Sequence, residues 1–125
     1  MSSCKMLFMG NSEWNKNMKG IFLDDERSPC DVYWVSYQDN VEWIVCRNGL
    51  EFFLALNPSI DIVSFDHDIQ EFHNGKETTG YDILKKMIDN SFDGGHMPSE
   101  IYFHTQNNIG KKNMEMYYTN FMNSN

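Results

Sequence analysis

The apolar positions fall into short runs, and three of those runs stop abruptly at ionisable or polar residues. Ile21-Phe22-Leu23 is followed by Asp24-Asp25-Glu26-Arg27. The stretch from Ile60 to Phe65 is followed by Asp66-His67-Asp68, and Ile101 to Phe103 by His104-Thr105-Gln106-Asn107. Short, mostly apolar runs of this kind predict strands buried on both faces. Two further runs, Asp31 to Tyr37 and Val41 to Cys46, are β-branched and aromatic and are separated by Gln38-Asp39-Asn40. They predict a hairpin whose second arm also joins the main sheet. Lys5 to Met9 reads as an extra edge strand, with Trp14 as a surface anchor. Helical spacing fills the gaps. Leu50, Phe53 and Leu54 follow Asn48-Gly49 and end at Asn57-Pro58. Thr79-Gly80-Tyr81-Asp82 is a capping-box pattern ahead of the stripe Leu84, Met87 and Ile88. Gly110 opens a last helix with Met114, Tyr117, Tyr118, Phe121 and Met122 on one stripe. The stretch from Gln70 to Glu77 predicts a polar loop.

Strand and helix alternate, so the expected fold is α/β, a single-domain three-layer sandwich. Its central sheet is mostly parallel, of about 4–5 strands, with helices on both faces. Residues 1–19 read as an N-terminal extension, 20–122 as the domain, and 30–40 as an insertion within it. Right-handed crossovers set the carboxyl ends of all strands on one edge. In open α/β sheets ligands bind outside that edge, where the strand order reverses.

The chain has 125 residues and a net charge of −8, from ten Lys+Arg against eighteen Asp+Glu. That balance argues against a grip on a long nucleic-acid duplex, which needs a basic footprint, and against docking on an anionic membrane. No stretch reaches the ~20 apolar residues of a membrane span. Three scattered cysteines with no CxxC pair, Cys4, Cys30 and Cys46, read as free thiols in a reducing cytoplasm.

The three strand ends together hold five carboxylates and two histidines. Carboxylates crowded into one site repel each other and need a cation. Asp24, Asp25 and Asp66 form an oxygen-ligand set for Mg²⁺ or Mn²⁺. His67 or His104 either adds a nitrogen ligand or serves as general acid or base. Arg27 suits bidentate phosphate binding. Asn107, Gly110 and Lys111 lie where the last helix begins, a position that favours an anion. The bland readings are a solvated strand end for Asp24-Asp25, a core histidine for His104, and surface charges for Lys111-Lys112. Three such sets at equivalent strand ends favour function over coincidence. His73 and His96 are assigned no role.

The segments Ile21 to Pro29, Phe65 to Ile69, Thr79 to Asp82 and His104 to Asn107, continuing to Met114, resemble the cyclic-phosphate-processing receiver-like family. That family is a variant of the response-regulator receiver fold found in bacteria and bacteriophages. The resemblance covers roughly residues 20–120 and implies a receiver-like, flavodoxin-like domain in a bacterial or phage-infected cytoplasm. Asp24-Asp25 then fall at a receiver's Mg²⁺ site, Asp66 at its phospho-acceptor and Thr105 at its Thr or Ser. His67, Asp68 and His104 are additions, and the Lys-bearing fifth strand has no counterpart.

The resemblance implies a metal-dependent phosphoesterase acting on a cyclic phosphate of a small nucleotide or an RNA end. Asp24, Asp25 and Asp66 hold the metal. His67 and His104 move protons, with Asp68 orienting a histidine or a metal-bound water. Arg27, Thr105, Asn107 and Lys111 meet phosphate oxygens. The alternatives are a non-catalytic module binding a cyclic nucleotide or a protein partner, and a signalling receiver phosphorylated on Asp66.

Overall fold

A sheet of four parallel strands organises the chain in the computed structural model, which describes residues 17–124. The strand expected at Lys5 to Met9 and the Trp14 anchor lie outside the described residues. In chain order, β1 is Met18–Leu23, β2 is Val41–Cys46, and α1 is Gly49–Ala55. Next come β3 (Ile62–Phe65), β4 (Glu71–His73), β5 (Lys76–Thr78), α2 (Gly80–Ser91), β6 (Glu100–Phe103) and α3 (Asn108–Asn123). The sheet runs β2-β1-β3-β6. The chain moves outward from β1 to β2, then returns past β1 to β3, so the order reverses between β1 and β3.

With crossovers of one hand, that reversal puts the β1–β2 connection on the opposite face from those that follow. The side chains obey the period of two along each strand. Ile21, Leu23, Val63, Phe65 and Phe103 face the helices and pack with Phe52, Leu84, Met87 and Met114. Phe22, Val41, Trp43 and Ile62 face the other way and are covered by Val32, Trp34, Val35 and Tyr37.

This second layer departs from the expected pattern. Among the described residues helices do not cover both faces; all three pack on one, and residues 24–40 cover the other without an α-helix. Asp31 to Tyr37 is not a hairpin arm either, because only Val41–Cys46 pairs with the sheet. A 3₁₀ turn at Pro29–Asp31 turns the chain. The aromatic side chains then bury against the sheet face and not along its edge. Tyr37 meets Trp43 and Tyr102 edge-on, with ring centroids 5.0 and 5.3 Å apart.

Three smaller differences have local causes. In α1 the buried side chain is Phe52, while Leu50 and Leu54 are exposed. The face of this seven-residue helix that carries Phe52 meets the core, and Phe53 and Ala55 pack partly against it. Gln70 to Glu77 is a β4–β5 hairpin and not a plain loop. Asn74 and Gly75 both take positive φ, 54° and 77°, as a two-residue hairpin turn requires. The last helix starts at Asn108, capped by the Asn107 side chain, which accepts from Gly110 N–H. The capping box at Thr79 and Asp82 forms as the sequence suggests. Cys46 is a buried free thiol, as expected, but Cys30 is disulfide-bonded, which corrects the reading of it as a free thiol. No helix among the described residues is long and apolar enough to cross a membrane.

Candidate functional site at the carboxyl edge of the sheet

The parallel ladder continues one residue beyond three strands. Asp24 N–H bonds to Cys46 C=O, Asp66 N–H to Leu23 C=O, and His104 N–H to Phe65 C=O. Leu23, Phe65 and Phe103 are register partners, so Asp24, Asp66 and His104 lie side by side at the next position. By the two-residue alternation they share the face of Phe22, Ser64 and Tyr102, under the aromatic layer. All three are buried.

Asp24 is the most heavily bonded of the set. Its Oδ1 accepts from the backbone N–H groups of Glu26 and Arg27 at 2.9 and 2.8 Å. Its Oδ2 meets His104 Nε2 at 3.0 Å and Arg27 Nε at 3.2 Å. Burial alone would raise its pKa. The His104 bond and the two backbone N–H groups outweigh burial and lower it to about 2. A carboxyl depressed on folding contributes stability that is present above its unfolded pKa and lost as pH falls through the folded one. In metal-free protein, urea unfolding midpoints should therefore fall more steeply for wild type than for Asp24→Asn as pH drops from 3.8 to about 2. Equal slopes would show that these bonds do not favour the ionised form.

Behind Asp24 a polar chain runs into the protein. His104 Nδ1 lies 2.7 Å from Ser64 Oγ, which lies 2.6 Å from Tyr37 Oη. An ionised Asp24 can only accept, so the His104 Nε2–H donates to it. With the proton on Nε2, Nδ1 accepts from Ser64, and Ser64 accepts from Tyr37, so each hydroxyl proton has an acceptor. Burial pushes the Tyr37 phenol up, which keeps it a donor. The His104 ring stacks on Phe22 at 4.2 Å with planes 8° apart, and its carbonyl accepts from Trp34 Nε1 at 2.8 Å.

Asp66 accepts from the His67 N–H through Oδ1 at 2.9 Å and is hydrogen-bonded by the Thr105 side chain. Burial, then the charge of Asp24, raises its pKa. Arg27 Nη2 stands 3.6 Å from Asp66 Oδ1, so one guanidinium spans both buried acids. Arg47, just after β2, donates to the carbonyls of Asp24 and Arg27 and fixes the loop that carries them.

In front of these acids opens a cleft of about 380 Å³. Asp24 to Arg27 and Trp34 line one side, Asp66, Asp68 and Gln70 the middle, and Thr105 to Asn107 the other. Asp25 is partly buried there, its pKa raised by burial and by the charges of Asp24 and Glu26. Asp68 binds His67 Nδ1 at 2.9 Å and Asn107 Nδ2 at 3.0 Å. His67 itself is partly buried and rests against Gly110.

Of the residues the sequence points to, the cleft gathers Asp24, Asp25, Arg27, Asp66, Asp68, Thr105 and Asn107. His67 stands just outside the wall, tied to Asp68. His104 is wholly buried behind Asp24, and Lys111 is not among the lining residues. Sequence reasoning missed Trp34, Tyr37, Arg47 and Ser64. Ser64 did leave a signal, because a hydroxyl inside the buried run Ile62-Val63-Ser64-Phe65 must find a partner.

A family model for the cyclic-phosphate processing receiver domain matches residues 19–120. The chain belongs to this family. Its receiver-like α/β fold is the one described above, and the family's name ties the domain to cyclic-phosphate processing. No curated protein and no solved structure matches the chain. Within this receiver-like domain one oxygen each of Asp24 and Asp66 and one ring nitrogen of His104 lie within 4.8 Å of one another, a group that could hold a metal ion.

Proposed function

We propose that this domain is a phosphoesterase that opens a cyclic phosphate on a nucleotide or RNA terminus, assisted by Mg²⁺ or Mn²⁺. The supporting observation is the pair of buried carboxylates, Asp24 and Asp66, set at the strand-order reversal beneath a polar cleft. Hard oxygen donors of this kind suit a hard divalent ion. Asp24 and Asp66 would hold it, with Asp25 at the rim. Bound there, such an ion would supply Lewis-acid polarisation of a phosphoryl oxygen and would make water a better nucleophile.

The chain's own groups supply the rest. Arg27 and Asn107 offer N–H donors to phosphate oxygens, and Thr105 a hydroxyl. His67, its Nδ1 held by Asp68, takes a proton from the attacking water or gives one to the leaving oxygen. Water oxygen bonds to phosphorus, one ring ester bond breaks, and the departing alkoxide gains a proton. His104 positions Asp24 and does not touch substrate.

A panel of nucleoside 2′,3′- and 3′,5′-cyclic phosphates, with and without Mg²⁺ or Mn²⁺ and read by product mass, tests this. Turnover should need the metal and should fall by at least about 10²-fold in Asp66→Asn, with an unchanged circular dichroism spectrum. Unimpaired Asp66→Asn would overturn the assignment. A second reading, binding a cyclic nucleotide or a protein partner without turnover, draws on Arg27, which already neutralises the acids. It predicts ligand binding that survives EDTA with no product. Phosphorylation of Asp66 as in a signalling receiver predicts instead an acetyl-phosphate adduct that Asp66→Asn abolishes.

A further inference from the structure

An ionised carboxylate offers about four lone-pair positions. Asp24 fills three with hydrogen bonds, from two backbone N–H groups on Oδ1 and from His104 Nε2 on Oδ2, and the Arg27 guanidinium covers the fourth as an ion pair, its Nε 3.2 Å from Oδ2. None remains for a cation from solution. One partner on Oδ2 must leave before a metal ion can bind there.

The two candidates differ in freedom. His104 is fully buried, stacked flat on Phe22 and held at Nδ1 by Ser64. Moving it would strip Ser64 of an acceptor and open a void in the aromatic layer. The Arg27 side chain is 28 % exposed and faces the cleft. Its backbone is anchored through the carbonyl that accepts from Arg47, so the guanidinium can swing while the loop stays. In the same pose the guanidinium carbon lies 5.3 Å from the Trp34 ring centroid, so the cation already borders the cleft wall that Trp34 lines.

We propose that Arg27 is the site's resident cation and that a divalent metal binds Asp24 and Asp66 only by displacing its guanidinium. Released, the guanidinium stays tethered at the cleft wall, where the oxygens of a phosphoryl group are its natural partner. Phosphate and metal then assist each other. Phosphate draws Arg27 off the carboxylates and frees them, and by linkage the metal raises phosphate affinity by the same factor. Arg27 thus ties occupation of the metal site to the presence of a phosphoryl ligand. This rests on the metal reading above.

The test is Mn²⁺ binding by electron paramagnetic resonance on the full chain, with and without inorganic phosphate. Arg27→Gln should bind Mn²⁺ about tenfold tighter than wild type, because the competing charge beside both carboxylates is gone. Phosphate should tighten Mn²⁺ binding in wild type and not in Arg27→Gln. Arg27→Lys keeps the charge but offers no fork to span two carboxylates, and should fall between them. The chain contains only two arginines, Arg27 and Arg47. In the wild-type protein the Arg27 Nε–H resonance should therefore shift on adding Mg²⁺ while that of Arg47 stays, a readout independent of any variant. Equal Mn²⁺ affinity in wild type and Arg27→Gln, with an unmoved Arg27 resonance, overturns the displacement and leaves the metal reading standing. No Mn²⁺ binding in either protein overturns both.

Discussion

Gly80→Ala is expected to destabilise the protein by about 3 kcal/mol, the upper end of the cost of overpacking. Helix propensity alone predicts the opposite. Gly80 is the first residue of α2, and alanine there should gain up to about 1 kcal/mol. The geometry reverses the sign. A Cβ at Gly80 would overlap the Asp66 carbonyl oxygen and lie 2.8 Å from its carbon. Neither is the end of a flexible side chain that can step aside. The contact is close because the Gly80 N–H donates to the His67 carbonyl at 2.7 Å, which seats α2 on the turn after β3. Relief would push that turn and the helix apart, so the Asp66 and His67 positions should move together with the loss in stability. Urea unfolding and cyclic-phosphate turnover measure the two effects. A variant as stable as wild type would mean that α2 shifts freely, and that its seat does not fix Asp66.

The same turn shows which parts of the site the sequence could disclose. Asp24, Asp66 and His104 were legible as strand ends because a parallel strand buried on both faces leaves a continuous apolar run with a sharp stop. What each carboxylate or imidazole faces was not legible, since that depends on cross-strand register. Asp24 and His104 are 80 residues apart, and only the shared ladder makes them partners. His104 therefore reads in the sequence as a proton carrier at the cleft, while the two-residue alternation turns it inward toward Ser64. Tyr37 and Trp34 were hidden for another reason. The run Asp31 to Tyr37 has strand-like composition, but burial against the face of the sheet wins over pairing at its edge. The β4–β5 hairpin was in reach, because Asn74-Gly75 is a strong turn signal. The polar composition around it masked the pairing.

Replacing His104 by alanine should cost about 3–5 kcal/mol, the range for removing a large buried ring. Three losses coincide. The stack on Phe22 leaves a void in the layer between sheet and aromatic segment. The Ser64 hydroxyl loses its acceptor, and Asp24 Oδ2 loses a buried donor, keeping only Arg27. Against a total stability of about 5–15 kcal/mol, this is a large share. Ser64→Ala removes one hydrogen-bonded link and should cost about 1–2 kcal/mol. Urea unfolding of both variants gives the comparison. Activity separates positioning from proton transfer. His104→Gln places an amide N–H near the site of Nε2 and cannot exchange a proton at neutral pH. It should regain part of both stability and turnover, with the pH profile of kcat unchanged. If His104→Gln is as stable as wild type but inactive, His104 acts on the substrate's protons, and the buried chain through Ser64 and Tyr37 does not decide its role.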